Sequence, residues 1–221
     1  MNKSFYKPLK FAAIGAVISA GVFGAQAQSF TMQIIADNDF AIFGGTSTGV
    51  TSLLYQNNSS WPTQLNNLSS FTFELQPGQD TFYVLGMGGG GMENISGTIN
   101  DIDMTSISVL MSSDLSSFLT GYFSDGLPSS SVGDGTYDAS LFDLQTAFPN
   151  LTWGSTTLTD EADDVAASSP NGLGFHFDDS TAHFFSFNAS DVGVTPAPEP
   201  STLAMAAMGG FGSLLLFRRR K

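Results

Sequence analysis

The chain has 221 residues, of which 42% are hydrophobic, and a formal net charge of −13 at pH 7. Because it has no cysteine, disulfides, thiol catalysis and cysteine-based metal sites are excluded. All seven Lys and Arg lie in the first ten or the last four positions, so the acidic stretch between them has no cation to neutralise phosphate, and nucleic acid is excluded as a partner.

Residues 1–27 have the organisation of a secretory signal peptide. Lys3, Lys7 and Lys10 precede an apolar run over 11–24, and "AQA" at 25–27 fits the small-x-small cleavage rule. A first transmembrane helix or a buried helix is the alternative, but the run is short for spanning a bilayer and a cleavage site follows it. We therefore predict export, with signal peptidase cleaving before Gln28.

The predicted body, residues 28–188, has a composition typical of short strands joined by turns, because Gly, Ser, Thr and Phe are abundant and Lys and Glu are scarce. Three stretches place apolar runs on both sides of a turn, the pattern of a hairpin: "FTMQIIADNDFAIFGG", "SSFTFELQPGQDTFYVLGM" and "LGFHFDDSTAHFFSFN". "ISGTIN" and "TSISVLM" predict further strands, and "DASLFDLQTAF" predicts a short helix with Asp138 as its N-cap. Together these elements predict an all-β fold, an antiparallel β-sandwich.

The order of motifs in the first half of the body resembles the galactose-binding-like jelly roll, an accessory domain of glycoside-acting enzymes and surface proteins. The resemblance runs from Phe30 to Met111 and includes "ADNDFAIFGG", then Trp61, then "FTFELQPGQDTFYVLGMGGGG". It implies a jelly-roll-like sandwich. A Phe-Gly-Gly turn stands where a Val-Asn-Gly turn is common in the family, so ligand binding is not carried over.

Carboxylates in a body without Lys or Arg can be satisfied only by backbone N–H groups, hydroxyls, amides, water or metal ions. Calcium takes about six to eight oxygen ligands of these kinds. Four candidate calcium sites follow: the first is formed by Asp37, Asn38 and Asp39, the second by Asp101 and Asp103 of "NDID", and the others are "DEADD" at 160–164 and "DD" at 178–179. None of the four has the spacing of an EF-hand loop, and the alternative for each is a solvated turn in which Asp and Asn bond their own backbone. We also expect salt or Ca²⁺ to stabilise the body, because its like charges repel one another.

Two patterns raise catalysis or zinc binding, and neither is convincing. "GTSTG" at 45–49 matches the nucleophile elbow with Ser47 as nucleophile, but that motif needs a helix after it, and no helical pattern follows. His176 and His183 could meet across a hairpin and bind zinc with a carboxylate, but ordinary strand positions beside phenylalanines are the preferred interpretation. We therefore predict no catalytic residue and no enzymatic activity.

Trp61 and Trp153 both stand in polar, loop-like sequence. Aromatic ring faces stack on the C–H faces of sugars, so these two residues are candidate glycan contacts. The alternative for each is a core or rim tryptophan that packs under a loop.

The end of the chain has three parts after a predicted linker at 189–197. Pro198, Glu199 and Pro200 come first, then a 15-residue apolar run at 203–217, predicted to be a single transmembrane helix, and then a basic end. That basic end predicts a membrane stop, because clustered Lys and Arg stay on the cytoplasmic side; it consists of Arg218, Arg219, Arg220 and Lys221.

The whole segment 198–221 resembles the PEP-CTERM protein-sorting signal. The resemblance implies that a membrane transpeptidase of the exosortase type cuts near Pro-Glu-Pro and releases or transfers the body, in a Gram-negative bacterium that makes exopolysaccharide. A simple membrane anchor is the alternative, with the same topology and no removal of the tail.

These patterns predict an exported protein that passes through the inner membrane to the cell surface or extracellular matrix. Its predicted role is structural or adhesive, in association with exopolysaccharide or biofilm. The alternatives are a carbohydrate-binding module and a secreted hydrolase.

Overall fold

The computed structural model of the chain describes six stretches: 29–37, 39–57, 68–88, 93–119, 141–160 and 169–194. Several predictions lie outside them, namely the signal peptide, Asn38, Trp61, Asp138 and the segment after residue 194 that holds the sorting signal. Among the described residues, no helix is long and apolar enough to cross a membrane.

Twelve strands of the described residues form two antiparallel sheets, which is consistent with the predicted β-sandwich. Sheet A has the order β10-β11-β6-β1-β4, with β7 also paired to β6; its strands are β1 (Ser29–Asp37), β4 (Ser69–Glu74), β6 (Glu93–Ile99), β7 (Ile102–Asp103), β10 (Thr157–Thr159) and β11 (Gly174–Phe177). Sheet B has the order β3-β2-β5-β12-β8-β9; its strands are β2 (Asp39–Thr46), β3 (Gly49–Gln56), β5 (Thr81–Met87), β8 (Leu110–Ser112), β9 (Trp153–Ser155) and β12 (Ala182–Asn188).

One α-helix, α1 (Leu141–Ala147), lies within the stretch predicted to be helical. Short 3₁₀ turns accompany the strands, at Met104–Ser106, Ser116–Phe118, Phe148–Asn150 and Ala189–Val192. The predicted strand "TSISVLM" is only partly correct, because its first residues belong to the turn at Met104–Ser106 and the strand begins at Leu110.

The main core lies between the two sheets. Sheet A contributes alternate residues of β1 to this core, and over residues 29–34 the exposed and buried positions alternate with the two-residue period of a strand with one solvent face. Large aromatic rings fill the layer; Phe82 of sheet B, for example, stacks on Phe187 with ring centroids 5.1 Å apart and lies 4.9 Å from Phe30 of sheet A. Burial of these rings, together with the aliphatic side chains around them, stabilises the packing of the two sheets.

A second core covers the outer face of sheet B. Leu144 of α1 and Phe148 of the following turn are buried there against Phe43, Tyr83 and Phe184. Strands β2, β5 and β12 are therefore covered on both faces, which explains why they read as nearly continuous apolar runs rather than as alternating ones.

The three predicted hairpins are wrong in their pairing, although their strands are correct. β1 and β2 follow one another in sequence but lie in different sheets, and the same is true of β4 and β5 and of β11 and β12. In each pair the first strand belongs to sheet A and the second to sheet B. The β2–β3 connection is a hairpin, with Ser47 and Thr48 as its turn residues.

The body extends past the predicted boundary at residue 188. The 3₁₀ turn Ala189–Val192 packs on the main core, and Ala189, Val192 and Val194 are all buried. Asn100 holds this segment in place, because its Nδ2 donates a 2.9 Å hydrogen bond to the Val192 carbonyl oxygen. The residues at 189–194 are thus part of the fold and not of the linker.

Candidate functional site

The first predicted calcium site is divided between the two sheets. Asp37 ends β1 in sheet A, paired with Asn94 of β6, whereas Asp39 begins β2 in sheet B, paired with Met87 of β5. Asn38 lies outside the described residues. Asp37 and Asp39 are close in sequence, but they therefore lie in strands of different sheets.

Asp39 is a buried acid, with only 1% of its surface exposed. Burial raises the pKa of Asp39 to about 8, and hydrogen bonds from the Phe40 backbone N–H and the Asn57 side chain offset only part of this effect. Its Oδ1 accepts the Phe40 N–H at 2.7 Å, while its Oδ2 has no hydrogen-bond partner among the described residues. Burial therefore favours the protonated, neutral form of this side chain.

The second predicted calcium site lies at the hairpin between β6 and β7. Asn100 and Asp101 form its two turn residues with φ of 50° and 64°, a left-handed conformation that Asn and Asp tolerate. Asp101 is exposed, and the half-buried Asp103 follows at the end of β7. The turn therefore gives the two carboxylates different surroundings.

Hydrogen bonds from the protein already surround the carboxylate of Asp103. Its Oδ1 accepts the backbone N–H and the hydroxyl of Thr105, both at 2.8 Å, and its Oδ2 accepts the Ser169 hydroxyl at 2.8 Å and the Asn171 N–H at 3.2 Å. Burial tends to raise the pKa of Asp103, but these bonds outweigh it and hold the pKa below its usual range. Asp103 thus ties the loop at 169–172 to the end of β7.

Asp114 is satisfied in the same way. It accepts the backbone N–H groups of Ser116 at 2.9 Å and Ala182 at 3.0 Å, together with the Ser116 hydroxyl at 2.8 Å. Against the effect of burial, these bonds hold the pKa of Asp114 low, as does the neighbouring His183. Within the described residues, no three side chains of the Asp, Glu and His types come together in a way that could hold a metal ion. The calcium sites stay a prediction.

The nucleophile elbow lacks its structural context. Ser47 is a turn residue of the β2–β3 hairpin, and the chain continues into strand β3 rather than into a helix. The turn is held by a 2.8 Å hydrogen bond between the hydroxyls of Thr46 and Thr48, and the Tyr83 hydroxyl donates to the Thr46 carbonyl oxygen at 2.6 Å. Ser47 is therefore one of the two residues of a tight hairpin turn.

The two histidines lie in different sheets and do not meet across a hairpin. His183 of β12 is buried, with its Nδ1 2.8 Å from the Ser112 carbonyl oxygen and its Nε2 2.9 Å from the Thr181 hydroxyl. His176 of β11 is half-buried, and its buried Nδ1 has no hydrogen-bond partner within the stretches that the structure describes. The two imidazoles are therefore in unlike environments.

Trp153 lies in β9, at the edge of sheet B, and is half-buried. Its ring packs on the second core, with centroids 5.5 Å from Phe148 and 5.9 Å from Tyr83. Only part of the ring is left open to solvent, so a sugar could meet it only along that part. Trp61 lies outside the described residues.

A pocket of about 350 Å³ lies beside the β2–β3 hairpin and the β4–β5 turn. Gln79 forms its floor: its Nε2 donates to the hydroxyls of Thr51 at 2.6 Å and Ser52 at 2.8 Å, and its Oε1 accepts the Gln76 N–H at 2.7 Å. The lining has hydroxyls and amides and no charge; it consists of Thr46, Thr51, Ser52, Gln76, Pro77, Gly78 and Gln79. Such a surface suits a neutral, hydroxyl-bearing ligand.

The far end of the chain carries the clearest functional information. Residues 196–221 match the family model of the PEP-CTERM protein-sorting motif. The sorting motif implies that the protein is exported, that an exosortase processes it, and that it has a cell-surface or membrane-associated fate. No curated protein and no solved structure matches the chain. The resemblance of the body to the galactose-binding-like jelly roll therefore stays a prediction.

One residue of functional interest has no signal in the sequence. Asn94 reads as an ordinary strand residue, yet it is fully buried on the outer face of sheet A and pairs with both Asp37 and His176. Only the register of three strands, which no local pattern encodes, brings these residues together.

Proposed function

We propose that this protein is a structural or adhesive component of the cell surface or the exopolysaccharide matrix of a Gram-negative bacterium. The observation that carries the proposal is the match of residues 196–221 to the PEP-CTERM sorting motif. Signal peptidase removes residues 1–27, the apolar segment 203–217 holds the chain in the inner membrane, and an exosortase-type transpeptidase cuts near Pro198-Glu199-Pro200.

The body is suited to this role by its fold and charge. Two packed antiparallel sheets bury a large aromatic core, and no Lys or Arg stands between Lys10 and Arg218. A body of this kind is an anionic, hydrated particle that does not bind nucleic acid and is repelled by anionic lipid. We infer a role in cohesion rather than in catalysis, because neither the Ser47 turn nor any motif of the sequence supplies a catalytic arrangement.

The test is processing of the full chain in a host that contains the exosortase. Glu199→Ala removes the acid of the motif and should leave an unprocessed, membrane-retained form of higher mass; Asp191→Ala removes an exposed acid just before the motif and should be processed normally. Intact-mass spectrometry of the membrane and secreted fractions measures both cleavages. Normal processing of Glu199→Ala, or of the natural chain in an exosortase-deletion strain, would contradict the proposal.

A second candidate function is binding of a neutral polysaccharide, favoured by the uncharged hydroxyl and amide lining of the pocket at Gln79 and by the half-exposed ring of Trp153. A glycan array with the natural chain and with Trp61→Ala and Trp153→Ala separates the two candidates. Binding signals that the natural chain gives and either variant loses would establish recognition of sugars. An array on which the natural chain binds nothing would favour the structural or adhesive role.

A further inference from the structure

Three polar side chains form a row across the outer face of sheet A. Asp37 of β1 pairs with Asn94 of β6, and Asn94 pairs in turn with His176 of β11. Their neighbours Ala36, Ile95 and Phe175, which share the next register, all point into the core between the sheets. Because successive residues of a strand point to opposite faces, Asp37, Asn94 and His176 share the outer face. We refer to them as the polar row.

The middle of the polar row is buried, and its polar atoms lack hydrogen bonds to the described part of the chain. Asn94 has 0% of its surface exposed, and neither its Oδ1 nor its Nδ2 has a partner among the described residues. The Nδ1 of His176 is likewise buried, with no partner in the same stretches of the chain. Buried polar groups are nearly always paired, because each unpaired one loses its hydration without compensation. The contrast with His183, whose two ring nitrogens both have partners, is direct.

The local packing holds the Asn94 amide in place beside β11. Gly174 lies diagonally opposite on that strand, and a Cβ atom there would be 2.9 Å from the Asn94 Oδ1. The glycine therefore leaves room for the amide to lie toward β11, the strand of His176. The neighbouring Ser96 hydroxyl donates to the Leu173 carbonyl oxygen at 3.1 Å. The hydroxyl of Ser96, two residues along on the same face, is thus engaged with the loop that precedes β11.

We infer that the polar row binds a divalent transition-metal ion. The row offers a carboxylate oxygen, an amide oxygen and an imidazole nitrogen, a mixed N/O donor set that suits Zn²⁺ and Mn²⁺. Ca²⁺ is a poor candidate, because it takes oxygen ligands only. Neighbouring strands are about 4.8 Å apart, so Asp37 and His176 flank the amide of Asn94 from either side, and an ion above Asn94 lies within reach of both.

His176 lies on the side of the polar row that is nearer to solvent. His176 is half-buried and pairs on its other side with Thr157, an exposed residue of the edge strand β10. The sequence between Lys10 and Arg218 contains no Lys or Arg that could satisfy these groups as an ion pair. The inference is independent of the sorting function and goes beyond it, since it concerns three side chains far in sequence from the motif.

The experiment is a titration of the full-length chain with Zn²⁺, Mn²⁺ and Ca²⁺ by isothermal calorimetry. We expect one Zn²⁺ or Mn²⁺ ion per chain, with the affinity lowered at least tenfold in His176→Ala and in Asn94→Ala. His183→Gln is the matched control, because that histidine is outside the row, and it should keep the affinity. Absence of Zn²⁺ and Mn²⁺ binding, binding of Ca²⁺ alone, or unchanged affinity in His176→Ala would overturn the inference.

A spectroscopic readout covers variants that fail to fold. The chain has two histidines, so its NMR spectrum has two sets of imidazole signals. In the natural chain, Zn²⁺ should shift one set of signals and leave the other unchanged. The His183→Gln variant has only the His176 signals, so its spectrum assigns each set, and we expect the shifted set to be that of His176. A shift of the His183 signals instead would also overturn the inference.

Discussion

At the scale of single residues, identical side chains have opposite acid–base behaviour in this protein. Asp39 and Asp103 are both aspartates of sheet strands, but burial raises the pKa of Asp39 to about 8, whereas hydrogen bonds hold the pKa of Asp103 below its usual value despite burial. The difference depends on whether the protein supplies donors to the charged form. The direction of each pKa shift determines how that aspartate makes the free energy of unfolding vary with pH.

Asp39→Asn should reduce the slope with which the free energy of unfolding falls as the pH rises. The folded state keeps a proton on Asp39 that the unfolded chain releases near pH 4, so the free energy of unfolding falls between about pH 4 and about pH 8. The slope from this one group is at most about 1.4 kcal/mol per pH unit. Asparagine carries no titrating proton and keeps an oxygen for the Phe40 N–H. Urea unfolding at a series of pH values measures the slope.

The matched control for this variant is Asp101→Asn. Asp101 is exposed in a left-handed turn position that asparagine also tolerates, so its slope should follow that of the natural chain. Parallel slopes for the natural chain and Asp39→Asn would show that Asp39 does not hold a proton in the folded state.

At the scale of the elements, the sequence located most strands correctly but not their partners. Turn residues such as Asp-Asn-Asp, Pro-Gly and Asp-Asp-Ser indicate where one strand ends and the next begins. They do not show whether the second strand bonds to the first one, at about 4.8 Å, or belongs to the other sheet. In all three cases here the second strand belongs to the other sheet.

The same ambiguity limited the prediction of the sites. Asp37 and Asp39 are two positions apart in sequence, yet they lie in strands of different sheets, and Asp37 pairs with Asn94, 57 positions further along the chain. Contacts such as Asp103 with Ser169 join residues 66 positions apart, and no local pattern indicates them. The sorting motif was predictable because its function depends on a contiguous stretch of sequence and not on folding.

Gly86→Ala should destabilise the packing of one sheet on the other. Gly86 of β5 faces the core, and a Cβ atom there would lie 2.6 Å from the Ile95 Cδ1 and 3.1 Å from the Phe177 Cζ, both on sheet A. Forcing one methyl group into a filled core costs roughly 1–3 kcal/mol. Thermal and urea unfolding of the variant measure this loss.

Gly154→Ala is the control for Gly86→Ala, since a Cβ atom at Gly154 of the edge strand β9 would meet no atom within 4 Å. We expect its free energy of unfolding to stay within about 0.5 kcal/mol of the natural value. Equal stabilities for the two variants would contradict the close approach of the sheets at Gly86.

At the scale of the whole molecule, charge should make stability depend on salt. All 20 acids lie between the basic ends, and their mutual repulsion opposes the compact state. The Debye length falls from about 30 Å at 0.01 M to about 8 Å at 0.15 M ionic strength, so added NaCl should raise the melting temperature. A melting temperature that is independent of NaCl would exclude repulsion as a significant term.

A comparison at constant ionic strength then tests the predicted calcium sites. If millimolar CaCl₂ raises the melting temperature no more than NaCl of the same ionic strength does, the acids are screened by Ca²⁺ and do not bind it. A larger rise that is lost in Asp101→Asn would instead assign binding to the β6–β7 turn.

The last strand of the body, β12, has neighbours on both sides. It pairs with β5 over seven residues and with β8 over two, in the middle of sheet B, and the chain leaves it toward the sorting motif. A body tethered through that end would transmit mechanical load into the interior of a sheet and not into a peripheral strand that can peel away. Shear from fluid flow, or traction between cells, would then have to break many backbone hydrogen bonds at once before the domain unfolded.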